Sequence, residues 1–429
     1  MSNSAESSYR LLFRNRNYLR VFTAGLGSIA GSTIAGICLV WIVAADTGSA
    51  LDVALLGTAN LVAAILFSTL GGTLVDRYDR RWLMIGSDVA RAIALTAVVL
   101  VLALRGFNLP ILLVAEAVVG AFSVLFNPAE QAIVPALVPP GHVADANGLV
   151  RSSRSTLQFV GVSVGGVLIV TVGPIWGVAL NAVTFGVSAL LLTGMRIPAV
   201  SFAVLTAHPS SYFTDLRAGF RWLWQSQGFF QLTISATFFN FSSTLIGTFL
   251  VFYATLVLHG SALVFALLLA AEVAGTAIGS LLVGRVGAVR YAGKAWVVPY
   301  GVVSGAVALL LPLVPSAPVA IVTLFALGAL GGFAGTAWLS AAQLLVPTEM
   351  QGRYFGIDSL GSIAILPVAQ IGGALLIGAF AVRTTYLLAA ILWLVSGVLF
   401  LFPRALWKLG VKPGDALTSR NDGDATGTP

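Results

Sequence analysis

Four acidic residues, Asp88, Glu116, Glu130 and Glu272, stand within runs of apolar residues long enough to cross a bilayer. An ionisable side chain costs at least about 2.5–3.5 kcal/mol at the bilayer centre, so each is a candidate for chemistry. Glu272 is the sharpest case. It lies eleven residues past Ser261, about 16 Å along a helix, close to the middle of a core about 30 Å thick. A bilayer core penalises the charged form of a carboxyl, which suits a group that takes up and releases protons. A neutral, hydrogen-bonded structural Glu is the plainer alternative. Asp88 and Arg91 are three residues apart on one helix face and can pair, either to fix the helix or to take part in coupling. Glu116 could bind a proton or a cation, or simply face water. Cys38 is the single cysteine and His142, His208 and His259 are scattered, which excludes a Cys-based metal cluster and an internal disulfide. No metal site is expected.

The densest charge lies at Gly71–Arg81, GGTLVDRYDRR, with apolar runs at 51–75 and 82–104 on either side. This reads as two antiparallel membrane helices joined by a tight turn. Its arginines favour the cytoplasmic face.

Those elements set the class. The 429 residues are 58% hydrophobic and 9% charged, whereas a soluble domain carries about 25% charge. The chain reads as an all-α polytopic membrane protein. Its net charge of +7 is better matched to anionic lipid than to nucleic acid. The apolar run after Arg10, Arg14, Arg16 and Arg20 is too long for a signal-peptide core and reads as a retained first helix. Twelve helices are expected near 18–45, 51–75, 82–104, 110–134, 154–173, 175–195, 229–258, 261–284, 295–314, 317–345, 356–380 and 384–403. With the N-terminus inside, 20 of the 23 Lys and Arg fall in cytoplasmic segments, so both termini are expected in the cytoplasm.

The expected organisation is a cytoplasmic N-terminus at 1–17, a six-helix half at 18–195, a linker at 196–228, a second half at 229–403 and a cytoplasmic tail at 404–429. Within the linker, Phe213, Leu216, Phe220 and Leu223 recur at helical spacing, apart from Asp215, Arg217 and Arg221, as in an amphipathic helix at a membrane interface. The tail from Gly414 is polar and expected to be disordered. An offset of 208 aligns Gly71, Leu74, Val75 and Arg77 with Gly279, Leu282, Val283 and Arg285. The same offset aligns Gly120 with Gly328, Val138-Pro139 with Val346-Pro347 and Gly148 with Gly356. Two six-helix pseudo-repeats follow. Ala64 stands where the second half has Glu272, so the halves differ at that point.

The sequence Gly72-Thr-Leu74-Val-Asp76-Arg77-Tyr-Asp79-Arg80-Arg81 resembles the loop between helices two and three of the major facilitator superfamily, with Asp79 where the family usually has Gly. The resemblance implies a conformational gate made of Gly72, Asp76, Arg77, Arg80, Arg81 and Glu130. In it Glu130 pairs with Arg80, and Asp76 meets the start of helix eleven near Tyr354 to Asp358. Gly161, Gly165 and Gly166 resemble the Gly-Pro-x-x-Gly-Gly motif of drug:proton antiporters, with Val162 in place of the proline; close helix packing is the simpler reading. Glu116-x-x-x-Gly120 falls where many such antiporters have Arg-x-x-x-Gly. Asn127-Pro128, Val138-Pro139, Ala146-Asn147-Gly148 and Gly352-Arg353 extend the likeness to the enterobactin-exporter and macrolide-efflux branch.

In that fold substrate binds between the halves, and helices one, four, seven and ten line the cavity. Phe126, Asn127, Phe238, Asn240, Tyr253, Trp338 and Gln343 are the implied cavity residues, beside Ser28, Ser32, Thr33, Phe239 and others; most aromatics in any bundle are packing. The reading is a secondary active transporter of the inner membrane, a proton-coupled exporter of hydrophobic or amphipathic small molecules. It needs no cofactor beyond the proton as coupling ion, works as a monomer in lipid and binds no nucleic acid. A metabolite facilitator or symporter of the same fold is the alternative, and a non-transporting receptor or scaffold the competitor from another class. Without a nucleophile–base pair, metal cluster or P-loop, an enzyme is not expected.

Overall fold

The computed structural model describes residues 12–139, 142–195, 212–287 and 291–407. The expectations for the first eleven residues, for 196–211 of the linker and for the tail from 408 lie outside them. No strand occurs among the described residues. Six helices come first: α1 (Arg16–Thr47), α2 (Ala50–Arg77), α3 (Arg80–Arg105), α4 (Leu109–Leu137), α5 (Val143–Thr171) and α6 (Ile175–Thr193). A linker helix, α7 (Tyr212–Gln225), follows. Six more make the second set: α8 (Gln227–Thr248), α9 (Ala262–Val286), α10 (Ala292–Leu313), α11 (Ala317–Leu345), α12 (Thr348–Phe380) and α13 (Val382–Leu399). Among the described residues ten helices are long and apolar enough to cross a membrane. An eleventh span is α8 with its continuation Leu250–Val257, bent by 46°, and α12 carries the shorter apolar stretch Ala364–Phe380. The fold is the twelve-helix, two-repeat arrangement.

Local sequence sets the helix ends. Gly48 adopts φ +61° and closes α1, while the Ser49 side chain accepts from the Asp52 amide to open α2. Asp79 caps α3 by accepting from the Arg81 amide at 2.8 Å. The residue that departs from the usual loop glycine is thus a helix cap, with φ −60° and no need for glycine. Two helices start earlier than expected, α5 at Val143 rather than 154 and α12 at Thr348 rather than 356. Each gains polar turns (with Asp145 and Arg151 in α5, Glu349 and Arg353 in α12) that a hydropathy window rejects but a helix accepts.

Contacts divide the chain into two compact units. One comprises residues 1–205 with 254–270, the other 206–253 with 271–429. The core of the first contains Tyr18, Met84, Phe126, Ile133 and Leu192. In the second, Leu223 of α7 is buried with Phe229, Ala342, Val346, Tyr354 and Ile357. Trp222 packs its ring on Phe229 and Tyr354, so α7 is held on the ends of α8 and α12. Arg217, Phe220, Arg221 and Trp224 line its opposite, exposed side. Large apolar side chains such as Leu104, Leu190 and Leu281 are more than 70% exposed; on spanning helices these face lipid.

The repeat is visible in packing. Shifted by 208, α4 falls on α11 residue for residue, and α2, α3, α5 and α6 fall on α9, α10, α12 and α13. At the equivalent crossings the same glycine makes the contact. A β-carbon at Gly120 would overlap the carbonyl of Asn60 in α2, and one at Gly328 that of Glu272 in α9. The second crossing has three further contacts of this kind: Gly275 on Phe325, Gly279 on Ala329 and Gly332 on Thr276, each against a carbonyl oxygen. Small residues are what let membrane helices approach this closely. At Gly335, one turn from this seam, a β-carbon would meet nothing within 4 Å.

These contacts predict a sharp local contrast. Gly328→Val should separate α9 from α11 and cost about 1–3 kcal/mol or more, read as a fall in the thermal midpoint of the purified protein. Gly335→Ala should leave the midpoint unchanged. Equal effects would show that the seam is not tight.

Candidate functional site

In the first unit Asp88, Glu116 and Glu130 each have a side-chain partner. Asp88 of α3 lies 2.5 Å from Arg91 and accepts a hydrogen bond from Ser188 of α6 at 2.5 Å; Asp88 is 0% exposed and Arg91 4%. Arg91 also donates to the Ser87 carbonyl and, at 3.4 Å, to Ser123 of α4. Its guanidinium lies 4.7 Å from the Phe126 ring centre and 4.3 Å from that of Phe185. Side chains of α3, α4 and α6 therefore hold one buried ion pair. Phe126, expected on the cavity wall, is instead a core residue beneath Arg91. Glu116 of α4 accepts from the Asn60 amide of α2 at 2.8 Å, and the same amide reaches the Glu116 carbonyl at 3.2 Å.

Glu130 pairs with Arg154 of α5, not with the expected Arg80. Arg154 lies on the face of α5 that meets Glu130 of α4. Gly25 of α1 leaves the room, because a β-carbon there would overlap Glu130 Oε1. The loop arginines have their own task. Arg81 donates to the carbonyls of Leu192 and Thr193, and Arg20 to that of Gly194. Both cover the C-terminal end of α6, where backbone carbonyls carry negative partial charge. Arg80 opens α3, half-buried. The side chains of Gly72, Asp76 and Arg77 lie outside the described set, as does Asp76's expected contact with α12.

The glycines of α5 are packing residues. A β-carbon at Gly161 would crowd Thr33 of α1, Gly165 lies against Ile34, and Gly166 would collide with Ala266 of the same unit. Tyr253 is another core residue rather than a cavity one: it is fully buried, donates to the Leu311 carbonyl at 2.7 Å and stacks on Tyr386 at 4.7 Å. Asn127, Phe238 and Gln343 are exposed and line neither cavity described below.

The second unit holds two neighbouring cavities. The first, about 380 Å³, is lined by Glu272, Thr276, Ser243, Tyr300 and Trp393 with glycines of α11. Among the described residues no side chain forms an ion pair or hydrogen bond with the Glu272 carboxyl; only the residue's backbone carbonyl accepts, from Thr276 Oγ1 at 2.9 Å. The second cavity, about 370 Å³, is lined by Asn240, Trp296, Trp338, Asp358 and Ser362. The two share Tyr300, Gly331 and Gly335. Asn240 and Trp338, candidates for a cavity between the halves, line the second of these cavities, within the second unit. Tyr300 and Trp393 were missed, because an aromatic in an apolar helix carries no signal in composition alone.

The backbone of α10 shapes both walls. Trp296–Val303 is π-helical and contains Pro299. Proline has no amide hydrogen to give its own turn, and π turns concentrate at functional sites. Side chains take up carbonyls of this segment: Ser304 Oγ donates to Pro299 at 3.2 Å and Trp393 Nε1 to Tyr300 at 2.9 Å.

Comparison with known proteins then supplies the family. A family model described as Major Facilitator Superfamily matches residues 21–362. The chain is 26% identical over 303 residues to the multidrug efflux pump Tap of Mycobacterium tuberculosis, covering 68% of this chain and 69% of that one. It is 30% identical to the MFS-type transporter YkuC of Bacillus subtilis over 44% of this chain and 43% of that one. With the macrolide efflux protein A of Streptococcus pyogenes it shares 26% identity, over 52% and 56%. Among solved structures, the nucleoside transporter NupG superposes with a TM-score of 0.68 at 11% identity, covering 91% of this chain and 98% of that one. A D-xylose-proton symporter gives 0.67 at 12%, over 94% and 99%. Such identities speak for the fold alone. The chain spans less than two thirds of the length of the first curated relatives it matches; it belongs to the major facilitator superfamily and is a multi-pass membrane protein.

Proposed function

We propose that the chain is a proton-coupled exporter of hydrophobic or amphipathic small molecules, working by alternating access in the cell membrane with both termini in the cytoplasm. One observation carries the reading. Asp88, Glu116 and Glu130 have partners, whereas the Glu272 carboxyl stands on a cavity wall with none among the described residues. A proton is the smallest cation that can neutralise it, and an unpartnered carboxyl can accept one without breaking another contact. The cavities fall within the size range of small-molecule sites, about 300–1,000 Å³. The Mycobacterium and Streptococcus relatives, a multidrug efflux pump and a macrolide efflux protein, support the outward direction.

The test is dye and antibiotic transport in proteoliposomes, with and without a pH gradient. Glu272→Gln imitates the protonated state and cannot release a proton. It should keep ligand binding and facilitated exchange, while gradient-driven accumulation falls to the level seen without a gradient. If the variant still pumps against a gradient, coupling lies elsewhere. A receptor or scaffold would give no flux in either protein, and a facilitator would be indifferent to the gradient.

Orientation has its own test. Cys38 is buried, so a Cys38→Ala background should leave only introduced thiols to react. Single cysteines at 46–50 and 259–260 should label with an impermeant maleimide in intact cells, and those at 77–81 and 285–294 should not. The reverse pattern would invert the topology.

A further inference from the structure

Asp358 is a second buried acid of the second unit, 6% exposed, and the exporter reading above gives it no task. Its Oδ1 accepts from Thr233 of α8 at 3.0 Å. Among the described residues neither Lys nor Arg pairs with it or lines its cavity. The opposite walls are aromatic. Trp296 and Trp338 have ring centres 6.2 Å apart, and Trp296 and Tyr300 5.1 Å. Phe239 closes the group, 6.1 Å from Trp296 and 5.5 Å from Tyr300. A ring face is electronegative and attracts cations, most strongly when water is excluded. A carboxylate out of water needs a positive partner. Both features ask for the same thing, and none of the described residues provides it.

The ligand they fit is an organic cation rather than a metal ion. Hard metals take six or more oxygen ligands, and this compartment offers mainly rings beside Asn240, Asp358 and Ser362. Among the described residues no group of metal-binding side chains occurs. The cavity of about 370 Å³ is far larger than an inorganic ion requires and suits a substituted ammonium or phosphonium. The Glu272 cavity adjoins it across Tyr300, Gly331 and Gly335, so the apolar body of a longer molecule has room beside the acid assigned to the proton.

We propose that the compartment between Trp296, Trp338 and Asp358 binds the cationic group of the transported molecule, which makes the substrate a lipophilic organic cation. This rests on the exporter reading for the word substrate, but not for the binding site itself.

The test is equilibrium binding to the purified full chain in detergent, where neither gradient nor direction enters. Tetraphenylphosphonium and the uncharged triphenylphosphine oxide are titrated, following tryptophan fluorescence with competition by unlabelled probe. Wild type should prefer the phosphonium. Asp358→Asn should weaken the phosphonium by about tenfold or more and leave the oxide unchanged, while Asp358→Glu restores the preference. Trp338→Leu should also weaken the phosphonium selectively, which keeps the test alive if Asp358→Asn does not fold. Equal loss of both probes would make Asp358 a structural residue, and no loss of either would place the cation elsewhere; both overturn the proposal. Phosphonium binding without any flux in proteoliposomes would instead sink the exporter reading and spare the site.

Discussion

The second unit depends on the approach of α9 to α11. Gly328 stands so near the carbonyl of Glu272 that no side chain fits between them, and Gly275, Gly279 and Gly332 extend the seam. The residue carrying the unpartnered acid is thereby fixed through its own backbone. Gly331 and Gly335 belong to the neighbouring face of α11 and form a wall common to both cavities. One short glycine-rich stretch thus does opposite things on adjacent faces. Where carbonyls meet it, absent side chains allow contact; where rings face it, they leave space. Bulk added on the first face spreads the helices, and bulk on the second fills the room a ligand would need.

The repeat puts the chemistry of the two units side by side. Shifted by 208, Asp88 falls on Trp296, Glu130 on Trp338, Arg154 on Ser362 and Ser188 on Ser396. The first unit uses these positions for ion pairs and their hydrogen bonds. In the second, Trp296 and Trp338 are aromatic walls of a cavity that Ser362 also lines. The helices α4 and α11 span the same residues under the offset, whereas α10 is π-helical over Trp296–Val303 where α3 is α-helical. What also differs is whether the space between helices is filled by charge satisfying charge or left lined by rings.

Much of this was legible in the sequence. Long apolar runs, a charged tight turn and one recurrent offset led to the two-repeat fold, because bilayer thickness and period are properties of composition. The pairing of Asp88 with Arg91 followed from helical spacing alone. The rest needed three dimensions. Arg154 could not be matched to Glu130 from the sequence, because which face of α5 meets α4 is set by packing between helices and not by hydropathy. Phe126 and Tyr253 looked like cavity residues by helix number, yet the direction of each ring is set by neighbours on other helices: Arg91 and Phe185 around one, Tyr386 against the other. Tyr300 gave no signal at all, as its place on both cavity walls belongs to a π-helical stretch that no pattern of apolar residues announces.

The pairing of the acids also explains why they are not interchangeable. Protonating Asp88 would strand Arg91 in the core, and breaking a buried pair by removing one charge costs about 3–5 kcal/mol. The same holds, less severely, for Glu130, whose partner Arg154 is 26% exposed and can recover solvation. Glu116 would keep one bond to Asn60, since the amide also reaches the backbone carbonyl. At Glu272 nothing is stranded, because among the described residues its carboxyl holds no partner that a proton would displace. A group proposed to change charge in a transport cycle is best placed where that change disturbs least of the scaffold. Among the described residues, the buried ion pairs lie in the first unit and the Glu272 carboxyl stands without a side-chain partner on a cavity wall in the second.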